Sequence, residues 1–136
     1  MTPDLTYLAY TAVLTALLWL PYIVGRSLAV EMPNARVYRD PTFADMPAWV
    51  KRCDRAHVNA VESLIPFAAL VIVAHLAGAT NETTAMWAMV FFWARVGHAV
   101  VFWMGIPFVR TLAFAVGLVA TLGIAWEVLG AAPVAG

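Results

Sequence analysis

Arg55, Asn59 and Glu62 stand at i, i+4 and i+7 of one segment. On a helix turning about 100° per residue they fall within roughly 60° of one another. A guanidinium, an amide and a carboxylate on a single face offer both signs of charge and a neutral donor–acceptor group. That face runs into the apolar stretch IPFAALVIVAHLAG. In a bilayer an ionisable side chain is costly and is read as a functional site whose partner has to be found. The chemistry implied is recognition of a ligand that carries its own amine and its own acid.

A second set lies further along. Arg95, His98 and Phe102 are spaced i, i+3 and i+7 and share a helix face. Arg110 and Thr111 open the next apolar run, where the positive end of a helix dipole and free backbone N–H groups favour an anion. Arg26 closes the first apolar run. Glu62 lies roughly ten residues, or about 15 Å, above Arg52, and Arg95 lies about as far above Gly105. The two are therefore expected at one depth on antiparallel neighbours, with Glu62 paired to Arg95. Such a pair reads either as a structural bridge that fixes helix register or as one wall of a binding site. Arg26, Arg55, Arg95, Arg110, His98 and Asn59 against the single carboxylate of Glu62 exceed what a bridge needs, and favour a small anionic ligand whose amine meets Glu62. Arg26 and Arg110 also fit topogenic anchors that snorkel to the interface.

The elements that position these residues are membrane spans. Hydrophobic residues make up 63% of the 136, charged residues 12%, and the formal net charge is zero, with a mean hydropathy of +0.82. This lies outside ordinary globular composition, and the charge balance suggests no nucleic-acid partner. The chain reads as a single membrane domain over 1–136, all-α, a four-helix bundle with helices at about 5–25, 48–78, 84–105 and 108–130. The first lacks the basic start of a cleaved signal peptide and is read as a retained helix. Pro21 frees the carbonyl of Leu17, so a kink is expected near the end of that span. The loop 26–47, punctuated by Pro33 and Pro41 and followed by Pro47, is read as irregular with one short turn. ATNETT forms a short polar turn, and Gly105-Ile106-Pro107 ends the third helix.

Arg26, Arg36, Arg39, Lys51, Arg52 and Arg55 cluster around the first loop and Arg110 flanks the third. The positive-inside rule puts both loops in the cytoplasm and both termini outside. Trp87 and Trp126 at one level, and Trp49 and Trp103 at the other, suit interfacial aromatic belts. The single Cys53 excludes a disulfide within the chain, and its place at the headgroup level suggests no nucleophile. Three histidines without shared spacing give no metal site. His75 and Glu127 are read as outer-end residues without a role.

Arg55-Ala56-His57-Val58-Asn59-Ala60-Val61-Glu62 followed by Pro66-Phe67 resembles the signature of the MAPEG superfamily, the membrane-associated proteins in eicosanoid and glutathione metabolism. Arg95-Val96-Gly97-His98 and then Arg110-Thr111 is similar to that family's third-to-fourth-helix segment, and the resemblance spans helices two to four. It implies a homotrimer that holds glutathione between adjacent subunits. Arg26, Arg55, Asn59, Glu62, Arg95 and His98 would be the binding set, with Glu62 on the γ-glutamyl amine and Arg95 bracing Glu62. Arg110 and Thr111 would face the sulfur as the catalytic pair, lowering the thiol pKa. A lipophilic small molecule or lipid would be the second substrate, reached through the surrounding membrane lipids. The resemblance is to bacterial members akin to microsomal glutathione transferases, so an inner-membrane location is expected. Phe102 stands where prostaglandin- and leukotriene-forming members carry a tyrosine. That argues for conjugation or peroxide reduction over eicosanoid synthesis. It also keeps open a non-catalytic lipid-binding or scaffold role, as in the five-lipoxygenase-activating branch.

Overall fold

A computed structural model of the chain describes residues 1–30, 35–39 and 45–131. Every regular element among them is helical: α1 (Pro3–Leu17), α2 (Trp19–Ala29), α3 (Ala35–Arg39), α4 (Ala48–Leu76), α5 (Glu82–Met104) and α6 (Pro107–Gly130). Four stretches are long and apolar enough to cross a membrane: Pro3–Ala29, Ala48–Leu76, Glu82–Met104 and Pro107–Gly130. The first therefore extends past the expected 5–25 at both ends. Parts of the loop 26–47 and the tail beyond 131 lie outside the described residues.

Local chemistry explains the boundaries. The first span breaks at Leu18, between α1 and α2. Pro21 has no N–H for the carbonyl of Leu17, and the ladder yields one residue beyond it. Asn81 begins α5 with a reciprocal cap: its Oδ1 accepts from the Thr84 N–H at 2.9 Å, and its own N–H donates to the Thr84 hydroxyl at 2.9 Å. Gly105, at φ 77°, ends α5 in the left-handed region that favours glycine, and Pro107 starts α6 two residues later. Arg52 Nε donates to the exposed end of α5 at the Trp103 carbonyl, 2.9 Å away. Pro66 sits inside α4 without ending it, leaving the Glu62 carbonyl without its usual donor.

α5 packs against α1, α4 and α6, while α2 lies mainly on α4. Close packing rests on small residues, as expected where lipid removes the hydrophobic drive between helices. Ala60 and Ala99 meet Leu18 in one buried cluster, and Ala74, Ala88 and Ala120 meet Phe67, Phe91 and Ile124 in the other. Phe67 of α4 stacks on Phe91 of α5 with ring centroids 3.8 Å apart. Gly123 lets the indole of Trp87 lie flat on α6, where any Cβ would fall inside contact distance. Trp87 is thus a packing residue between α5 and α6. Trp103 is half-buried against the first cluster. Of the four tryptophans expected in the belts, Trp49 and Trp126 are exposed, while Trp87 and Trp103 are half-buried.

Candidate functional site

Near the α5–α6 turn a cavity of about 440 Å³ opens between α4, α5 and α6. From α4 come Arg55, Val58, Asn59 and Glu62; from α5, His98 and Phe102; from α6, Arg110, Thr111 and Phe114. Seven of the nine residues singled out by type and spacing thus share one wall-to-wall space. Arg55, Glu62 and Thr111 are exposed, Asn59 and Arg110 are half-buried, and His98 is buried. A second, apolar cavity of about 380 Å³ adjoins it, sharing Asn59, Glu62 and Phe114 and continuing past Pro66, Arg95, Leu118 and Leu122.

Arg95 does not pair with Glu62. Among the described residues the one ion pair is Lys51 with Asp45, on the surface. Arg95 is 3% exposed. Its Nη1 donates to Asn59 Oδ1 at 3.1 Å and to Ser63 Oγ at 2.9 Å. Its guanidinium lies 5.5 Å from the ring centroids of both Phe91 and Phe114. The reason is helical phase. Taking Asn59 as zero, Ser63 falls at about +40° and Glu62 at about −60°. The arginine settles on the Asn59–Ser63 face, and Glu62 points roughly 80° away from it, toward the open side. Equal depth on two helices does not fix their phase.

Two small residues make this seat possible, and neither was marked from the sequence. Ser63 is i+4 from Asn59, so one face holds two oxygen acceptors. Its own hydroxyl donates to the Asn59 carbonyl at 2.7 Å. Gly117 of α6 gives the guanidinium its room, since a Cβ there would lie 2.7 Å from Arg95 Nη2. Because arginine has only donors, the bond to Arg95 fixes which end of the Asn59 amide is oxygen. Nδ2 is then the end left to the cavity.

Arg110 lies over Phe102, with its guanidinium carbon 4.6 Å from the ring centroid. His98 meets the same ring edge-on at 5.4 Å. Phe102 is therefore the platform that carries both. The helix start at Arg110 is less open than its position implies. The Arg110 N–H is taken by the Ile106 carbonyl at 3.3 Å, and the Thr111 hydroxyl donates to the Pro107 carbonyl at 3.1 Å. Anion preference here rests on the Arg110 guanidinium and the α6 dipole rather than on free donors. Thr111 retains only acceptor capacity.

Arg26 is not brought into this cavity within one chain. It donates to the Tyr22 hydroxyl at 2.6 Å on α2. His57, within the same sequence motif as Arg55 and Asn59, turns to the other side of α4. There its Nδ1 meets the Thr15 carbonyl of α1 at 3.2 Å, beside the break at Leu18. It joins helices and does not line the site.

A sequence profile described as the MAPEG family matches residues 5–130. Microsomal glutathione S-transferase 1 of Mus musculus is 26% identical over 136 aligned positions, covering 90% of this chain and 88% of that protein. The proteins of the same name from Rattus norvegicus and Homo sapiens are each 33% identical over 81 residues, 59% of this chain and 52% of theirs. In those two the matched part is thus about half the length of the relative.

Proposed function

The chain belongs to the MAPEG family, and from that premise we propose that it is a glutathione-binding membrane enzyme, a transferase or peroxidase acting on lipophilic electrophiles. The observation that carries this reading is the cavity itself. It presents the unpaired carboxylate of Glu62 together with the cations of Arg55 and Arg110, and no ion pair cancels them. A ligand with one ammonium and two carboxylates, as glutathione has, matches that mixture of signs. Glu62 takes the γ-glutamyl ammonium, while Arg55 and the Asn59 amide take carboxylate and carbonyl oxygens. Arg110 stands at the far wall, where a cation lowers the pKa of a bound thiol and holds its thiolate. In conjugation, the thiol proton leaves to solvent and the thiolate electron pair forms the new carbon–sulfur bond as the leaving group departs with its own pair. In the peroxidase variant, the thiolate attacks a peroxide oxygen, the O–O bond breaks and the alkoxide leaves as the alcohol with a proton from solvent. A second glutathione thiol then attacks the resulting sulfenic sulfur and expels water to give the disulfide. The adjoining apolar cavity suits a lipophilic partner arriving from the membrane.

The chain assembles as a homotrimer in this reading, with the site closed by a neighbouring copy. Arg55 and Glu62 are exposed on the single chain and Arg26 stands apart from them, as an intersubunit site requires. Loops one and three face the cytoplasm, following the arginine distribution, and a bacterial inner membrane is the proposed setting.

Ultraviolet difference spectra of the detergent-purified protein titrated with glutathione test the reading. The expected result is a saturable thiolate band that Arg110→Ala diminishes severalfold, and a glutathione affinity that Glu62→Gln weakens about tenfold, one lost charge-assisted contact. Absence of a thiolate band in the wild type, or one unchanged in Arg110→Ala, overturns the activation. The second reading is a non-catalytic lipid-binding member of the same fold. Phe102 favours it, because the Arg110 platform offers no phenol to the sulfur. Glutathione binding with no turnover of an activated aryl halide or a lipid hydroperoxide would establish that alternative.

A further inference from the structure

His98 is the most deeply buried polar residue of the site cavity, 4% exposed. Among the described residues its imidazole makes no hydrogen bond and no ion pair. The polar side-chain atoms that are both sealed and partnerless there are Thr2 Oγ1, Asp4 Oδ1, Arg95 Nε and Trp103 Nε1. Neither His98 nitrogen is among them, so the sliver of surface that His98 keeps includes its nitrogens. A buried polar group that the chain leaves unpaired finds its partner in the space it faces. Its neighbours fix which part of that space this is. The edge-on contact with Phe102 at 5.4 Å puts the imidazole against the ring that also carries Arg110 at 4.6 Å. Arg95, one turn back on α5, and Arg110 of α6 both reach the imidazole electrostatically. Arg55 and Glu62 face the same cavity from α4.

We propose that His98 is a catalytic residue whose imidazole N–H donates to the sulfur of bound glutathione and shares the thiolate charge with Arg110, a role that rests on the glutathione reading above. The cavity groups able to donate are Arg55, the Asn59 amide, His98 and Arg110. Arg55 and Asn59 belong to the α4 wall with Glu62, where the ammonium and the carboxylate and carbonyl oxygens are held. At the Arg110 end the Thr111 hydroxyl proton is spent on the Pro107 carbonyl, and the Arg110 N–H on the Ile106 carbonyl. Phe102 and Phe114 have no donor to offer. His98 is the donor left beside Arg110. Either tautomer of a neutral imidazole presents one N–H, and a hydrogen bond to a charged acceptor is among the stronger ones. The thiol proton leaves to solvent and His98 keeps its own, so the bond steadies the thiolate without neutralising it.

Titration of the glutathione thiolate band against pH, on the full chain in detergent, tests this role. His98→Leu should raise the midpoint by about one unit or more, the shift expected from losing one hydrogen bond to a charged group. Glutathione affinity below that midpoint should stay unchanged. His98→Gln and His98→Asn place an amide N–H near one ring nitrogen or the other, and one of them should restore the wild-type midpoint. A wild-type band whose midpoint His98→Leu does not move refutes the proposal and leaves the glutathione reading standing. Weaker glutathione binding with an unmoved midpoint seats His98 on a carboxylate, which also refutes it, as does a shift that neither amide reverses. A wild type with no thiolate band overturns both readings. Should His98→Leu fail to fold, nuclear magnetic resonance of wild type carrying labelled histidine decides. The His98 N–H signal, assigned through His98→Gln, should move further with glutathione than with S-methylglutathione, which has no thiolate; equal movement refutes the proposal.

Discussion

Asn59→Asp separates the two ways of holding Arg95. In the structure the arginine is a buried cation with neutral acceptors only, Asn59 Oδ1 at 3.1 Å and Ser63 Oγ at 2.9 Å. A carboxylate at 59 would give it a counter-ion. At about 4 Å between charge centres and an effective dielectric near 20, the attraction is about 4 kcal/mol. It replaces a hydrogen bond to a charged donor worth about 1.5–3 kcal/mol. Desolvating the new carboxylate opposes the gain, but position 59 is only half-buried and borders the open cavity. The net change in fold stability is therefore between about zero and +2 kcal/mol. Had Arg95 been paired with Glu62, the new aspartate would instead place a like charge one turn from Glu62 and destabilise the bundle. Glutathione binding should move the other way. The cavity loses the Nδ2 donor and gains an anion, for a loss on the order of 10- to 100-fold in affinity. Thermal melts and glutathione titrations on the same detergent preparation read both quantities. A variant that melts several degrees below wild type, or one that binds glutathione as tightly, refutes the argument.

The thiolate band of bound glutathione should titrate below the ordinary thiol value of about 8.5. Arg110→Ala should move its midpoint up by about a unit or more, cutting the thiolate fraction at neutral pH roughly three- to tenfold. Phe102→Tyr should leave Arg110 seated on its ring and add a phenol near the sulfur, raising turnover severalfold without loss of glutathione affinity; a fall in turnover would contradict the geometry. Gly123→Ala should destabilise the chain by about 1–3 kcal/mol in thermal unfolding despite alanine's better helix propensity, because the Trp87 indole occupies the space. Arg26→Ala should weaken glutathione binding if a neighbouring subunit supplies Arg26, and leave the affinity unchanged if the site is built from one chain.

The spans were legible because each is a long apolar run bounded by charge, proline or glycine, and these signals are local. The cavity residues were legible because i, i+3, i+4 and i+7 spacing fixes a shared face whatever the helix packs against. The Arg95 partner was not, because two helices add an unknown rotation to a known depth. Asn59 and Ser63 won over Glu62 by phase alone. Trp87 looked like a belt residue since its level is correct. Only the notch at Gly123, on another helix, turns it inward. The Asn81 partner of Glu127 carried no signal either, since the two stand far apart in sequence and only the fold brings them together.

The way Arg95 is held bears on how the site can work. A buried arginine is costly in a bilayer, and an adjacent carboxylate is its usual remedy. Here neutral oxygens and two aromatic rings serve instead. Had Glu62 been consumed as the counter-ion, its charge would be cancelled and its oxygens saturated before any ligand arrived. Seated as it is, Arg95 orders Asn59 and leaves Glu62 with an unspent charge at the cavity mouth. An ammonium group entering there, as the proposed function requires, finds a carboxylate that no cation of the chain has neutralised. The same arginine keeps the Asn59 donor facing the ligand. In the proposed function one buried cation thus supports both halves of a zwitterion-binding wall, by touching one residue and avoiding the other.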